Sequence, residues 1–252
     1  VSLEALIFDV DGTLADTERD GHRLAFNRAF AEAGLDWEWT EEVYGELLAV
    51  TGGKERIRHY VKNYLPDFKE PADFDEQVVA LHAAKTRFYT DMMQRAEIPF
   101  RPGVMRLLGE ARDAGLRLAI ATTTTPANVT ALLGSSGVPG MESWFEVIGA
   151  GDVVPKKKPA PDIYDYVLNK MNLTPDACVA FEDSENGILS SRGAGLRTVV
   201  TINEYTRDHN FDGALIVLDS LGEPEKPFQV LTDTPVNGYQ FFSLSLLKSL
   251  ID

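Results

Sequence analysis

The chain runs to 252 residues with 44% hydrophobic content, a formal net charge of -15 and a single cysteine, Cys178. That apolar content over that length is enough for a full buried core. The acid excess argues against nonspecific nucleic-acid binding and against a basic membrane-surface role, and one cysteine excludes an internal disulfide and a cysteine-based metal site. No run approaches the ~18 consecutive apolar residues of a membrane helix.

The apolar run Ala5 to Phe8 predicts a buried strand, which delivers Asp9 and Asp11 into a turn marked by Gly12. On an extended chain these two carboxylates share a face, because side-chain direction repeats every second residue. Two anions so close call for a cation or for one acid to hold a proton, although a plain polar turn also accounts for the same residues. After caps at Asp16 and Thr17, the apolar positions Leu24, Phe26, Ala29, Phe30 and Ala33 predict one helix that stops at Gly34. From there to about Glu97 the pattern is helical: Glu41 to Ala49, Lys54 to Tyr64 and Phe74 to Gln94, broken by Gly52-Gly53 and by turns between Pro66 and Pro71.

Alternation begins at Pro102-Gly103. A helix from Val104 to Ala114 precedes a strand at Leu116 to Ala121. A helix near Ala127 to Leu133 precedes a strand at Glu146 to Ala150, and a helix from Ile163 to Met171 precedes a strand at Cys178 to Phe181. A helix from Gly187 to Gly193, a strand at Thr198 to Val200, a short strand at Leu215 to Leu218 and a helix within Tyr239 to Leu250 complete the pattern. Such alternation predicts an α/β fold, a doubly wound parallel sheet covered on both faces, with ligands at the carboxyl ends of strands.

Polar clusters fall at those ends. Thr122, Thr123, Thr124 and Thr125 precede Pro126 at a helix start, where hydroxyls and N–H groups form a phosphate cradle or simply a threonine-rich cap. In Pro155-Lys156-Lys157-Lys158-Pro159 the prolines stiffen a segment from which one ammonium could neutralise a phosphate or a carboxylate. Glu182-Asp183-Ser184-Glu185-Asn186 offers oxygen ligands of the kind Mg²⁺ takes, and its acids equally suit a helix N-terminus. Two acids, a hydroxyl cradle, a lysine and an acidic pair on one sheet edge describe a phosphoryl-transfer site.

Asp9-Val10-Asp11-Gly12-Thr13, Thr122, Lys158-Pro159 and Glu182-Asp183 resemble, in order and spacing, the four motifs of the haloacid-dehalogenase-like phosphatases. The resemblance spans roughly Leu3 to Val200 and implies a Rossmann-like core of residues 1–17 and 98–252 with an inserted helical cap of residues 18–97. Asp16-Thr17-Glu18, His22-Arg23, Tyr44-Gly45-Glu46-Leu47-Leu48, Thr51-Gly52-Gly53-Lys54-Glu55-Arg56 and Gly151-Asp152-Val153-Val154-Pro155-Lys156-Lys157-Lys158-Pro159 look more specifically like the xylulose-1,5-bisphosphate phosphatases of carbon-fixing organisms.

What this resemblance implies is a covalent mechanism. Asp9 is the expected nucleophile, Asp11 the acid and base, and Thr122, the N–H of Thr123 and Lys158 the groups that stabilise the transferring oxygens. Mg²⁺ is the expected cofactor, held by Asp9, the carbonyl of Asp11 and Asp183, with Glu182 a ligand or a partner of one. A second phosphate is expected at Thr51, Gly52, Gly53, Lys54 and Glu55, assisted by Thr124, and sugar hydroxyls at Glu18 and His22. Arg56, Arg58 and Arg87 are supporting charges at most. The expected partner is a small-molecule sugar bisphosphate, a Rubisco inhibitor, met by a monomer in the cytoplasm or, with a leader removed, the plastid stroma. A phosphomutase of the same fold, a dehalogenase and a silent sugar-phosphate sensor are the rival readings, of which the metal acids disfavour the second.

Overall fold

The computed structural model describes residues 2–50 and 52–251. In chain order, β1 (Ala5–Phe8) leads through a π-helical turn at Thr17–Arg23 into α1 (Leu24–Glu32), α2 (Glu41–Leu47), α3 (Gly53–Tyr64) and α4 (Phe74–Gln94). There follow α5 (Val104–Asp113), β2 (Arg117–Ala121), α6 (Pro126–Gly134), β3 (Phe145–Gly149), α7 (Asp162–Met171), β4 (Cys178–Glu182), α8 (Glu185–Gly193), β5 (Arg197–Thr201), β6 (Ile216–Leu218) and α9 (Leu244–Ile251). Two compact units result, residues 1–16 with 99–252, and residues 17–98.

The first unit is a six-stranded sheet in the order β3-β2-β1-β4-β5-β6. Every pairing is parallel, which explains why the strands read as largely apolar runs: helices cover both faces, so most strand side chains are buried. On one face Ile7, Ala119 and Ala180 pack with Tyr164, Val167 and Leu168 of α7. On the other, Phe8 stacks on Phe181 at 4.5 Å between centroids, and Phe242 meets Phe181 edge-on. The chain builds outward from β1 to β2 and β3, then returns to the other side of β1 for β4. The register places Phe8 beside both Ile120 and Phe181, so the residues following these three strands open on one crevice, where the strand order reverses.

The second unit is helical. Phe26, Phe30, Trp39 and Tyr44 form a buried aromatic core, with Trp37 and Tyr60 edge-on at its margin. Two expectations about helices change. The single helix predicted from Asp16 opens instead as the wide π turn, where Gly21 lies so close to Tyr89 and Ile98 that a Cβ would sit at 2.8 and 2.7 Å. The last helix starts at Leu244 rather than Tyr239. Ser243 caps it by accepting from the Leu246 N–H at 3.2 Å, while Phe242 is fixed by its own N–H on the Leu221 carbonyl at 2.7 Å. No helix of the described residues is long and apolar enough to cross a membrane.

Candidate active site

β1 ends at Phe8, and the Asp9 N–H still reaches the Phe181 carbonyl of β4 at 3.0 Å. Beyond it the chain does not stay extended. The Val10 carbonyl accepts from Thr13 and Leu14 at 3.2 and 2.9 Å, curling the segment into a turn in which Gly12 adopts φ +83. The shared strand face expected for Asp9 and Asp11 therefore gives way to a turn geometry, in which Asp11 is half-buried and its backbone bridges Ala15. Glycine is required at position 12 by conformation and by space, since a Cβ there would collide with the Asp183 carboxylate.

Lys158 is the only member of its lysine run to turn inward. Lys156 and Lys157 are exposed, whereas the Lys158 side chain is 7% exposed and donates to Asp9 Oδ1 and Glu182 Oε1, both at 2.6 Å. Glu182, 1% exposed at the end of β4, also accepts from the Tyr164 hydroxyl of α7. Asp183 follows at 7% exposure and accepts from Asn203 Nδ2 at 2.7 Å.

At the end of β2, Thr122 is buried and its N–H bonds the Gly149 carbonyl at 2.9 Å. Its Oγ1 accepts from the Thr124 N–H at 3.2 Å, and Thr125 caps α6. Thr124 Oγ1 is engaged with Asn128 at 3.1 Å, so its hydroxyl serves the helix start. The Thr123 N–H has no protein acceptor among the described residues, which leaves it as the donor of this turn.

The electrostatics follow from burying acids together. Burial, with Asp9 nearby, pushes the Glu182 carboxyl up to about 7, even though Lys158 opposes the rise. Asp183 is raised well above the ordinary carboxylate range by burial first, then by Asp9 and Glu182. Burial alone would lower Lys158, but Asp9 and Glu182 outweigh it and hold the ammonium charged. Tyr164 is raised well above its ordinary value by burial and by Glu182, so it stays a donor.

Against three buried carboxylates the cluster sets one ammonium. Asp9, Glu182 and Asp183 each place a carboxylate oxygen within 4.8 Å of the others, a grouping that suits a divalent cation. Glu182 Oε2 is buried with no partner among the described residues, and Gly187 leaves the space beside it, where a Cβ would collide. An orphaned carboxylate oxygen in a group with surplus negative charge fits an oxygen-liganded Mg²⁺.

In the helical unit, Glu18 accepts from the Tyr44 hydroxyl at 2.6 Å, and Arg56 donates to that same hydroxyl at 2.9 Å. His22 stacks on Tyr89 and its Nδ1 lies 2.9 Å from Lys85 Nζ; burial first, and then Lys85, pushes its imidazole down to about 4. His22 is therefore neutral and accepts from Lys85. Gly52 and Gly53 lead into α3, where Lys54 is half-buried and Glu55 exposed; Thr51 lies outside the described residues. Arg58 and Arg87 are committed to Asp75 and Glu32 at 2.8 and 2.5 Å.

Sequence reasoning missed Tyr164, Arg101, Asn203 and Lys85. Arg101 is buried and donates to the carbonyls of Gly12, Thr201, Ile202 and Asp219, with Asp16 beside it at 3.3 Å. An isolated arginine before Pro102-Gly103 carries no motif.

Residues 3–195 match the haloacid dehalogenase-like hydrolase family. The plasmid-encoded protein CbbY of Cupriavidus necator is 48% identical over 225 residues, covering 89% of this chain and 88% of that protein. CbbY from Rhodobacter sphaeroides, solved in complex with phosphate, aligns with a TM-score of 0.70 at 47% identity over 86% of this chain and 94% of its own. A mutant of that protein solved in complex with xylulose-(1,5)bisphosphate aligns with the same TM-score at 46% identity, over 86% and 94% of the two chains.

Proposed function

The chain belongs to the haloacid dehalogenase-like hydrolases and is a phosphatase, and from that premise we propose that it hydrolyses xylulose-1,5-bisphosphate to xylulose 5-phosphate and phosphate, with Mg²⁺ as cofactor. The observation that carries the reading is the buried Asp9–Lys158–Glu182 chain beside Asp183, at the edge of the sheet where ligands bind. The choice of substrate is supported by the likeness to a CbbY solved with that bisphosphate.

In this mechanism Asp9 attacks phosphorus and forms an aspartyl-phosphate as the sugar oxygen leaves, dividing one displacement into two easier ones. Asp11 gives its proton to the departing oxygen and then takes one from the water that hydrolyses the intermediate, so it is protonated when substrate binds. Lys158, Thr122 and the Thr123 N–H stabilise negative charge on the transferring oxygens. Asp9, the Asp11 carbonyl and Asp183 would hold Mg²⁺, with Glu182 a ligand or a partner of one, and the ion would neutralise charge between phosphate and carboxylate. Glu18, His22, Gly52, Gly53, Lys54 and Glu55 select the bisphosphate, with Lys54 supplying the charge for the distal phosphate.

The test is phosphate release from a panel of sugar mono- and bisphosphates, with and without Mg²⁺. One phosphate released per xylulose-1,5-bisphosphate, faster than from ribulose-1,5-bisphosphate and only with Mg²⁺, is the expected result. Consumption of bisphosphate without phosphate release would make the protein a phosphomutase instead.

A further inference from the structure

Asp183, just past β4, is gripped by a residue just past the next strand in the chain. Asn203, just past β5, donates from Nδ2 to Asp183 Oδ2 at 2.7 Å. It is itself held on every polar atom: Oδ1 accepts from the Tyr205 N–H at 2.9 Å, its N–H donates to Thr206 Oγ1 at 3.0 Å, and its carbonyl accepts from the Thr206 N–H at 3.2 Å. The segment carrying it is anchored by Arg101, which donates to Thr201 O at 3.0 Å and Ile202 O at 2.5 Å while also binding the Gly12 carbonyl. Gly12 in turn lies against both Asp183 Oδ2 and Asn203 Nδ2, with no room for a side chain.

A neutral amide that donates to one carboxylate oxygen satisfies that oxygen and leaves the charge in place. An ammonium in the same position would compete with a cation. The amide also fixes the rotation of the carboxylate, which otherwise turns freely about its last bond, and leaves Oδ1 as the available oxygen. Groups that orient a ligating carboxylate in this way change metal affinity by about 10- to 100-fold when removed.

We propose that Asn203 is a positioning residue that orients the Asp183 carboxylate for the divalent cation, with Arg101 holding Asn203 and Gly12 in register. The proposal rests on the cation site described above.

The experiment is calorimetric titration of Mg²⁺ into the intact protein without substrate, for the wild type, Asn203→Ala, Asn203→Ser and Asp183→Asn. Serine keeps the turn, since its hydroxyl accepts from the N–H two residues on, but is too short to reach Asp183, so it stands in if the alanine variant does not fold. Both Asn203 variants are expected to bind Mg²⁺ about 10-fold more weakly or worse, with turnover recovering as Mg²⁺ is raised, and Asp183→Asn to lose binding. Asn203 variants that bind like the wild type while Asp183→Asn loses Mg²⁺ overturn this assignment alone. Equal binding by all four proteins overturns the cation site and this proposal with it.

Discussion

In the sheet unit the charged groups of the site are buried at strand ends, with Lys158 between Asp9 and Glu182 and carboxylate charge left in surplus. In the helical unit the basic groups Lys85 and Arg56 sit on helices against aromatic rings, with Lys85 over Phe26 and Tyr89 and Arg56 over Tyr44. Strand ends are fixed by ladders on both sides, so a carboxylate placed there keeps its position through a reaction that develops charge. Helix faces tolerate replacement of one polar group by another. Under the proposed function the first unit carries the chemistry and the second the choice of substrate, and each of the following changes bears on that division.

The largest loss is expected from Asp9→Asn. Removing the nucleophile should lower turnover by at least about 10³-fold on every phosphate ester, measured as phosphate release, while Mg²⁺ dependence can no longer rescue it. Lys158→Met should cost about 10²- to 10³-fold in kcat, again on all substrates alike. It should also destabilise the fold by roughly 3 kcal/mol or more in urea unfolding, because two buried carboxylates lose their counter-charge. Lys54→Ala should behave differently, sparing hydrolysis of a small generic ester while reducing kcat/KM for the bisphosphate by about 10- to 100-fold, the worth of a charged hydrogen bond. Equal loss on both esters would break the division between the units.

The smallest effect is on stability. Glu182 has a folded-state pKa of about 7 against an ordinary value of 4.5, so between these values the folded chain holds a proton that the unfolded chain has lost. Its contribution is full below pH 4.5 and is lost as pH rises through about 7. Denaturant titrations of the metal-free protein should therefore show this fall, Glu182→Gln should flatten it, and added Mg²⁺ should oppose it.

The order of strands and helices from Val104 to Thr201 was legible because buried parallel strands are short apolar runs, and Gly and Pro mark their ends. Asp9, Thr122 and Asp183 were legible for a related reason: polar residues that closely follow such runs have a reason to be there, whereas Lys158 stood out in a run stiffened by prolines. Other features depend on contacts far apart in the chain. Arg101 bonds carbonyls about a hundred residues away, Tyr164 reaches Glu182 from α7, and Asn203 reaches Asp183 from the next strand end. No local period records such pairs. The π turn at Thr17–Arg23 escaped because its apolar spacing reads as an ordinary helix until the packing of Gly21 is known.

In the proposed mechanism Asp9 carries the phosphoryl group, and rapid acid quench of the enzyme with xylulose-1,5-bisphosphate and Mg²⁺, followed by peptide mass spectrometry, traps it there. The expected result is the mass of one phosphoryl group on the peptide containing Asp9, lost with the kinetics of phosphate release and absent in Asp9→Asn. Phosphate release at full rate with that peptide unmodified at every quench time would contradict it.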